Sequence, residues 1–463
     1  MTRGVAILLA LTLPGASVVL AQEASPTPTE SGTSVAVEPI AQRVARIVAA
    51  ASATEIERTI RDLCAFGTRH VLSRTDSETE GTGAARRYLA ARFEELAVQS
   101  GGRLIVSQQT GKVPVARQGM PLEIEIQNVI ATLPGTTDEK RVYVVGGHYD
   151  TRNSDGADGV RTAPGANDDG SGTAVALEVC RLLCKERFVA TIVFCAFDGE
   201  EQGLVGSKYC AQAMSEAKAE IDGMIGCDIV GNTLGMDGVR RREVVRCFSY
   251  ALDGNDSVGR SMARALTYTA SAHGLSPSVQ LVFRGDRYGR GGDHRSFFEA
   301  GFPAVRLTEP REDYSRQHQD LVDRDGAPYG DVPEFVDFDY TKGIASLVAA
   351  TLCELASAPP PPRIRSISAS RTAYDTDVEF DVPASAAGFE FVVRATTAPD
   401  WESALEQERV AARGDENGRR RALLRSVALD DLVVGLRSVG RDGARSRAAT
   451  PPDPDRMQRG RNR

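Results

Sequence analysis

The sequence predicts an α/β protein: a three-layer α/β/α domain with a mostly parallel central sheet, followed by a small all-β, sandwich-like domain. Helical and strand patterns alternate from about Ile40 to Ala356, which is typical of a parallel sheet with helices on both faces. After a proline run at residues 359–362 the pattern changes to short segments that alternate apolar and polar residues, as half-exposed strands do. A chain of 463 residues is also too long for one ordinary domain.

The N-terminus has the pattern of a secretory signal peptide. A positive charge at Arg3 precedes an apolar run that begins at Val5, and small residues lead to a predicted cleavage site after Ala21. A membrane anchor is the alternative, but Pro14 interrupts the run, which is short for a bilayer span. We therefore expect an exported protein, periplasmic or extracellular, with no membrane span after removal of the signal.

Composition divides the chain into segments. These are residues 1–21, a signal peptide; 22–39, a flexible leader; 40–357, the α/β domain; 358–363, a proline-rich linker; 364–450, the β domain; and 451–463, a disordered basic tail. The β domain resembles a fibronectin type III module in its strand spacing and in a hairpin that starts at Leu432 and turns at Gly440. All residues assigned to chemistry precede the linker, so either substrate docking or packing against the first domain is open for it.

Hydrophobic periodicity locates the main elements of the α/β domain. The clearest helices are predicted at Gly83 to Ala97, Gly172 to Leu183, Ser257 to His273 and Tyr340 to Leu355. The clearest buried strands are predicted at Val142 to Val145, Thr191 to Phe197, Met224 to Ile229 and Ala304 to Leu307.

Charge and cysteine content limit the partners and the compartment. The net charge of -8 and the pI of about 5.4 disfavour nucleic acid, which requires a basic face. Eight cysteines are an even number that an oxidising compartment would allow to pair. Cys180 and Cys184 lie one helical turn apart in an apolar stretch, which favours packing or a disulfide over a metal site.

Metal-competent residues follow several of the predicted strands. The carboxyl ends of strands are where an open α/β sheet binds its ligands. His148 and Asp150 follow the first strand, and a His-x-Asp step supplies one ligand and one carboxylate that orients the imidazole. Alone, such a histidine is more often a structural residue.

Two acidic pairs occupy similar positions. Asp168 and Asp169 lie in a glycine-flanked loop that opens a helix; they either cap the helix or present a carboxylate to a metal. Glu200 and Glu201 follow a very apolar strand, and two like charges there raise each other's ionisation cost. A cation removes that cost, so one glutamate could bind a metal while the other moves protons. The alternative is an exposed acidic turn.

Two further candidates complete the set. Asp228 lies within an apolar run, where an unpaired carboxylate is expensive and needs a cation or several donors. His318 lies in a polar loop after the last predicted strand and indicates little alone.

Together, these segments resemble the M28 family of zinc aminopeptidases. The family order is a His-x-Asp, a Gly-Ala-x-Asp-Asp-x-x-Ser-Gly loop, a Glu-Glu pair, an Asp and a late His. In this chain the order reads His148-Tyr149-Asp150, Gly165-Ala166-Asn167-Asp168-Asp169, Glu200-Glu201, Asp228 and His318. The loop continues Gly170-Ser171-Gly172, so its Asp-Asp to Ser-Gly spacing is one residue shorter than in the family. The resemblance covers roughly residues 40–356 and implies a zinc exopeptidase fold with two zinc ions per chain.

The resemblance also implies a role for each residue. Asp168 would bridge the two ions, Glu201 and His318 would complete one site, and His148 and Asp228 would complete the other. Each zinc then has three protein ligands and an open position for water or substrate.

The remaining implied roles lie around the ligands. Glu200 would be the general base, Asp150 would be the partner of the histidine ligand, and Asp169 would shape the bridging loop. The sequence departs from the family where a Ser-Asp-His is common, because glycine precedes Asp293 here. Tyr288 or Arg290 could supply an oxyanion donor.

The function implied is a zinc-dependent aminopeptidase acting on peptides or proteins with free N-termini. His294 is expected to line or support the site and not to bind metal. The rivals are a carboxypeptidase or dipeptidase on the same scaffold, a one-zinc glutaminyl cyclase, and an inactive binding ectodomain. His148 has no use in a one-zinc site, and retention of Glu200 with every ligand disfavours the inactive form.

Overall fold

The computed structural model describes residues 37–115, 119–251, 254–370, 373–414 and 419–451. The predicted signal peptide, most of the leader and almost all of the basic tail lie outside the described residues. Within the described part of the chain, no helix is both long and apolar enough to cross a membrane.

Helices and strands alternate through the first domain, as predicted. The helices are α1 (Ile40–Ala49), α2 (Ala53–Ala65), α3 (Gly81–Gln99), α4 (Gly170–Leu183), α5 (Val205–Glu216), α6 (Val258–Ala272), α7 (Asp293–Glu299) and α8 (Phe338–Ser357). The strands are β1 (Ile105–Pro114), β2 (Glu123–Leu133), β3 (Asp138–His148), β4 (Ala190–Phe197), β5 (Glu220–Cys227), β6 (Val244–Ser249), β7 (Ser278–Val282), β8 (Ala304–Thr308), β9 (Asp323–Arg324) and β10 (Ala327–Pro328).

Eight of these strands form one twisted sheet in the order β1-β2-β4-β3-β5-β8-β6-β7. The central neighbours β4, β3, β5 and β8 run parallel, as do β6 and β7. The outer pairings β1 with β2, β2 with β4 and β6 with β8 are antiparallel. Because the central strands are parallel, their carboxyl ends meet at one edge of the sheet.

Helices cover both faces of the sheet, which gives the predicted three layers. Along β3 the side chains alternate: Tyr143 and Val145 pack beneath α4 and α8, whereas Val142 and Val144 pack beneath α5 and α7. Strand geometry produces this alternation because successive side chains point to opposite faces. The strands therefore need apolar residues throughout, which explains their continuous hydrophobic runs.

Beyond the linker the chain is all β. Its strands are β11 (Arg363–Ala369), β12 (Thr376–Asp381), β13 (Gly388–Ala395), β14 (Ser403–Ala404), β15 (Val410–Gly414), β16 (Arg419–Leu424) and β17 (Leu432–Val439). They form two sheets, β11-β12-β16-β15 and β14-β13-β17, around a shared apolar core that includes Phe380, Phe391 and Leu436. The hairpin after β17 forms as predicted, with antiparallel bridges back from Arg445 and Ala449. The likeness to a fibronectin type III module stays a prediction.

The β domain packs against the α/β domain through buried charges. Asp256, before α6, pairs with Arg264 at 3.1 Å and with Arg394 of the β domain at 2.5 Å. Both arginine side chains are fully buried. Arg447 pairs with Asp222 of β5 at 2.5 Å. Of the two roles left open by the sequence, packing against the first domain is therefore present.

The cysteines do not pair. All eight are free thiols, and all except Cys64 are buried. Burial raises the pKa of Cys180, as expected for a thiol that serves packing. The disulfides that an oxidising compartment would allow are absent, and Cys180 and Cys184 form neither a bridge nor part of a metal cluster among the described residues.

Candidate metal centre

The predicted ligands converge at the carboxyl edge of the central strands. His148 is the last residue of β3, Asp228 directly follows β5, and Glu201 lies in the turn after β4. Asp168 lies in the loop that opens α4. His318 reaches the same place from the loop after β8, where its backbone is left-handed with φ of 58°. Residues up to 170 positions apart in sequence therefore meet because parallel strands end together.

Asp168 lies between two histidines. Its Oδ1 is 3.3 Å from His148 Nε2, and its Oδ2 is 3.0 Å from His318 Nε2. On the second side, His318 Nε2 is also 2.8 Å from Glu201 Oε1. On the first side, His148 Nε2 is 4.0 Å from Asp228 Oδ1. The two oxygens of the Asp168 carboxylate thus face two adjacent groups of metal-competent atoms, one that includes His148 and one that includes His318.

Each cluster could hold a metal ion. In the first, atoms of His148, Glu200 and Asp228 lie within 4.8 Å of one another; in the second, the same holds for Asp168, Glu201 and His318. Imidazole nitrogen and carboxylate oxygen are ordinary zinc ligands. Glu200, whose Oε2 is 3.9 Å from His148 Nε2, thus stands in the first cluster, where the resemblance implies Asp168 as the third ligand.

The chemistry of the donors fits zinc. His148 Nε2 is buried, faces the carboxylates and has no hydrogen-bond partner among the described residues. Its other nitrogen, Nδ1, contacts the Asp150 carbonyl at 3.1 Å and the Asp150 carboxylate at 3.4 Å. A ligating imidazole has this arrangement, with one nitrogen turned to the metal and the other bound to an oxygen.

Asp150 also fixes the glutamate pair. Its two carboxylate oxygens accept the backbone N–H groups of Glu200 at 3.0 Å and Glu201 at 3.1 Å. The buried carboxylate of Asp150 therefore positions the imidazole of His148 and the backbone of both glutamates. Sequence spacing alone did not indicate its contacts with the glutamates.

Asp169 ties three ligand-bearing segments together. Its carboxylate caps α4 through Gly172 N at 2.8 Å and accepts the backbone N–H of His148 at 3.1 Å and of Ile229 at 3.3 Å. Burial raises its pKa well above the usual value. The peptide bond between Asp168 and Asp169 is cis. The hydrogen bonds of Asp169 hold these segments together, and its loop-shaping role stays a prediction.

Three supporting residues were missed by the sequence reasoning. Asp331 accepts the backbone N–H groups of Asn167 at 2.9 Å and Asp168 at 2.7 Å, which holds the bridging loop in place. Burial raises the pKa of Asp331 to about 7. Arg306 of β8, buried next to Asp228, donates to its carboxylate at 2.9 Å. No local motif marks either residue, because both act from distant parts of the chain.

Arg69 is the third missed residue and is fully buried. Its guanidinium donates to the carbonyl of Tyr149 at 2.6 Å, of Leu63 at 3.1 Å, of Gly165 at 2.9 Å and of Pro164. It thus joins the loop that carries His148 to the loop that carries the bridging aspartate.

The electrostatics of the site are set by burial and by close opposite charges. Burial raises the pKa of Glu200 well above its usual value, and the nearby carboxylates of Asp228 and Glu201 add to this effect. Burial opposes a charge on His318, but Glu201 and Asp168 outweigh it and raise its pKa to about 10. Burial also opposes the ionised form of Asp168, yet His318 and His148 hold its pKa well below normal. A cation would compete with these protons for the same oxygen and nitrogen atoms.

The residues predicted with less support are placed differently. Tyr288 is 89% exposed and its ring lies under the guanidinium of Arg284, which disfavours it as an oxyanion donor. Arg290 instead binds Glu312 at 2.8 Å. His294 is buried, and its Nε2 contacts the Gly285 carbonyl at 2.8 Å. It belongs to neither ligand cluster of the described residues, and its supporting role stays a prediction.

Asp293, next to that histidine, was not singled out as a site residue. Its carboxylate is buried with no hydrogen-bond partner among the described residues, and its pKa is raised to about 7 by burial. An unpaired buried carboxylate is costly and is typical of a functional site.

Comparisons with known proteins show the family of the chain. A model of peptidase family M28 matches residues 128–326. A probable zinc metalloprotease of Leptosphaeria maculans is 39% identical over 428 residues, which span 89% of this chain and 97% of that protein. The Legionella pneumophila LapA aminopeptidase shares the fold with a TM-score of 0.52 at 20% identity, over 70% of this chain and 78% of that one. A glutaminyl cyclase of Fimbriiglobus ruber gives a TM-score of 0.50 at 21% identity, over 66% and 95%.

Fold and site together define a zinc metallopeptidase. The chain belongs to peptidase family M28, and its similarity to the Leptosphaeria protein extends through most of the β domain as well.

Proposed function

We propose that this chain is an exported aminopeptidase that uses two zinc ions and a glutamate general base to remove N-terminal residues from peptides. The single observation that carries the proposal is the position of Asp168. One carboxylate with a histidine 3.3 Å from one oxygen and another 3.0 Å from the other is suited to bridge two ions. A one-zinc site needs neither the second histidine nor the bridge.

Each ion would have three protein ligands. His148, Asp168 and Asp228 would hold one, and Asp168, Glu201 and His318 the other. This count leaves a position for water or substrate on each ion. Zinc bound there would lower the pKa of a water molecule and polarise the carbonyl of the scissile bond.

Glu200 is the proton carrier in this proposal. It lies 3.9 Å from His148 Nε2, close to both ligand groups, and its backbone is fixed by Asp150. It takes the proton from the attacking water and returns it to the nitrogen of the leaving amine.

A free N-terminus fits the charge of the site. The bound ions offset the charge of the ligand carboxylates, but Glu200 binds no metal in this proposal and its carboxylate would attract a substrate ammonium group. Asp293, buried and without a hydrogen-bond partner among the described residues, adds to this negative potential. The attraction favours exopeptidase over endopeptidase action.

The fold alone does not choose between the rivals, because an aminopeptidase and a glutaminyl cyclase share it with this chain. A cyclase with one zinc would leave His148 and Asp228 without a role. Export remains part of the proposal on the strength of the N-terminal sequence.

Two measurements test the proposed function. A panel of aminoacyl-nitroanilides is compared with N-blocked equivalents, and bound zinc is counted in the purified protein. We expect two zinc ions per chain, turnover of free substrates and no turnover of blocked ones. Hydrolysis of blocked substrates, or full activity with one zinc, contradicts the proposal.

A further inference from the structure

Three arginines surround one buried carboxylate near the metal centre. Glu312 is 2.8 Å from Arg290, 2.9 Å from Arg287 and 3.0 Å from Arg246. Its Oε2 also accepts the side-chain amide of Gln317 at 2.9 Å. We call Arg246, Arg287 and Arg290 the arginine cluster. Arg287 also pairs with Asp286 at 3.1 Å, so three guanidinium groups face two carboxylates and the cluster keeps one excess positive charge.

The arginine cluster adjoins both halves of the metal centre. Gln317, which binds Glu312, directly precedes His318 in the chain. On the other side, a Cβ built on Gly292 would lie 3.1 Å from Asp228 Oδ2, so the backbone two residues after Arg290 passes close to a predicted ligand. The loop that carries Arg287 and Arg290 therefore lies beside the predicted metal ligands.

Arg290 is the member of the cluster that faces solvent. Its side chain is 32% exposed, against 9% for Arg287 and 3% for Glu312. Among the described residues, the hydrogen bond found for its guanidinium is the one from Nη1 to Glu312. A guanidinium has five donors in a planar fork that suits a carboxylate, so Arg290 can bind a second one.

The positive charge of the arginine cluster indicates which part of a peptide substrate it can bind. The ammonium group of the substrate is attracted to the carboxylate of Glu200, which binds no metal in the proposed function, and is repelled by the arginines. An aminopeptidase substrate has a single residue on that side of the scissile bond, so an anion bound by Arg290 belongs to the leaving part.

We propose that the arginine cluster is a carboxylate-binding subsite, and that the preferred substrates are short peptides with a carboxylate close to the leaving nitrogen. The inference rests on the proposed function and narrows its substrate class. The carboxylate is either the free C-terminus of a dipeptide or an acidic side chain. Arg290 donates to it, and Glu312 holds Arg290 in position.

The test compares charged and neutral leaving groups on the zinc-loaded full chain. With X as the N-terminal residue that gives the highest turnover in the nitroanilide panel, the substrates are X-Gly, X-Gly amide and X-Asp amide. We expect kcat/KM for X-Gly to exceed that for X-Gly amide about tenfold, through a lower KM, since charge-assisted hydrogen bonds contribute roughly this much. X-Asp amide shows whether a side-chain carboxylate serves equally well.

Variants assign the preference to the cluster. Arg290→Met should bring the ratio of acid to amide close to one, and Arg290→Lys should restore part of it. Arg295→Met is the matched control, because Arg295 is 49% exposed, lies five residues further on and pairs with Glu299. The control should keep the wild-type ratio. Added salt should reduce the wild-type preference, since partly exposed charges are screened.

The outcomes separate this inference from the proposed function. Equal kcat/KM for X-Gly and its amide in the wild-type enzyme overturns the subsite but leaves the aminopeptidase intact. A preference that survives in Arg290→Met overturns the assignment to this cluster. If no substrate with a free N-terminus is cleaved, the proposed function fails, and the inference with it.

Discussion

Replacing Arg69 should loosen the metal centre without touching a predicted ligand. Its buried guanidinium donates to four backbone carbonyls, those of Leu63, Tyr149, Pro164 and Gly165. Tyr149 follows a predicted histidine ligand, and Gly165 lies three residues before the bridging aspartate. Methionine fills a similar volume but donates nothing, so the two loops lose their common anchor.

The expected cost follows from those hydrogen bonds. Leaving a buried acceptor without its donor costs about 1 to 3 kcal/mol. Four carbonyls would lose about 4 to 12 kcal/mol if the costs were additive and nothing were regained. The charge of Arg69 is itself desolvated in the native state, which offsets part of the loss. We therefore expect the free energy of unfolding to fall by about 4 kcal/mol, within the 5 to 15 kcal/mol typical of a domain.

A folded variant with loosened loops should bind zinc less tightly. Residues that orient metal ligands typically contribute about 10 to 100-fold in affinity. We would measure urea unfolding and zinc affinity by chelator competition for Arg69→Met, for Arg69→Lys, and for Arg74→Met as the control. Arg74 is close in sequence but exposed, so its replacement should change neither quantity. A wild-type unfolding midpoint together with wild-type zinc affinity in Arg69→Met would refute the anchoring role.

Four further outcomes are expected. Glu200→Gln should keep both metals but lower kcat by about 100 to 10,000-fold, because only the proton carrier is lost; loss of zinc with residual turnover would mean that the two glutamates have exchanged roles. Asp168→Ala should lose both zinc ions and His318→Ala chiefly one, so equal metal content in the two variants would contradict the bridge. Truncation after Pro362 should lower the thermal midpoint, because the β domain covers buried ion pairs, and an unchanged midpoint would contradict this. Burial acts to raise the pKa of Asp222, but Arg447 of the β domain outweighs this effect and holds the pKa below normal. The pair therefore stabilises the fold above a pH of about 4, and this stabilisation is lost as the pH falls further. The difference in urea midpoint between wild type and Asp222→Asn should shrink below that pH, and a difference that grows there would contradict the reasoning.

Local sequence was sufficient to predict the elements that carry the site. Helix α4 begins two residues before its predicted start at Gly172 and ends as predicted at Leu183. The carboxyl-end rule for parallel strands placed His148 and Asp228 together without any knowledge of the strand order. Hydrophobic runs fix which strands are buried, and buried parallel strands leave only their ends for polar chemistry.

The supporting residues could not be predicted in the same way. Apart from the Leu63 carbonyl, the backbone groups that Asp331 and Arg69 bind are 80 to 164 residues away, and a backbone group has no sequence signature. The contact between domains was equally hidden, because Arg264 and Arg394 look like surface residues in the sequence although both are buried. Their burial depends on Asp256, which becomes their neighbour only in the folded chain.

The two ends of the described chain are joined. The backbone N–H of Ile40, at the start of α1, donates to the carbonyl of Asp442 at 2.8 Å. Nearby, Glu354 of α8 accepts the backbone N–H of Arg445 at 2.9 Å. During synthesis the first helix is therefore made roughly 400 residues before its last partner leaves the ribosome. Contacts of such long sequence separation form late and slow folding. We therefore expect the protein to reach its native, protease-resistant state only after translation is complete, so that peptidase activity appears with the finished chain and not on the nascent one.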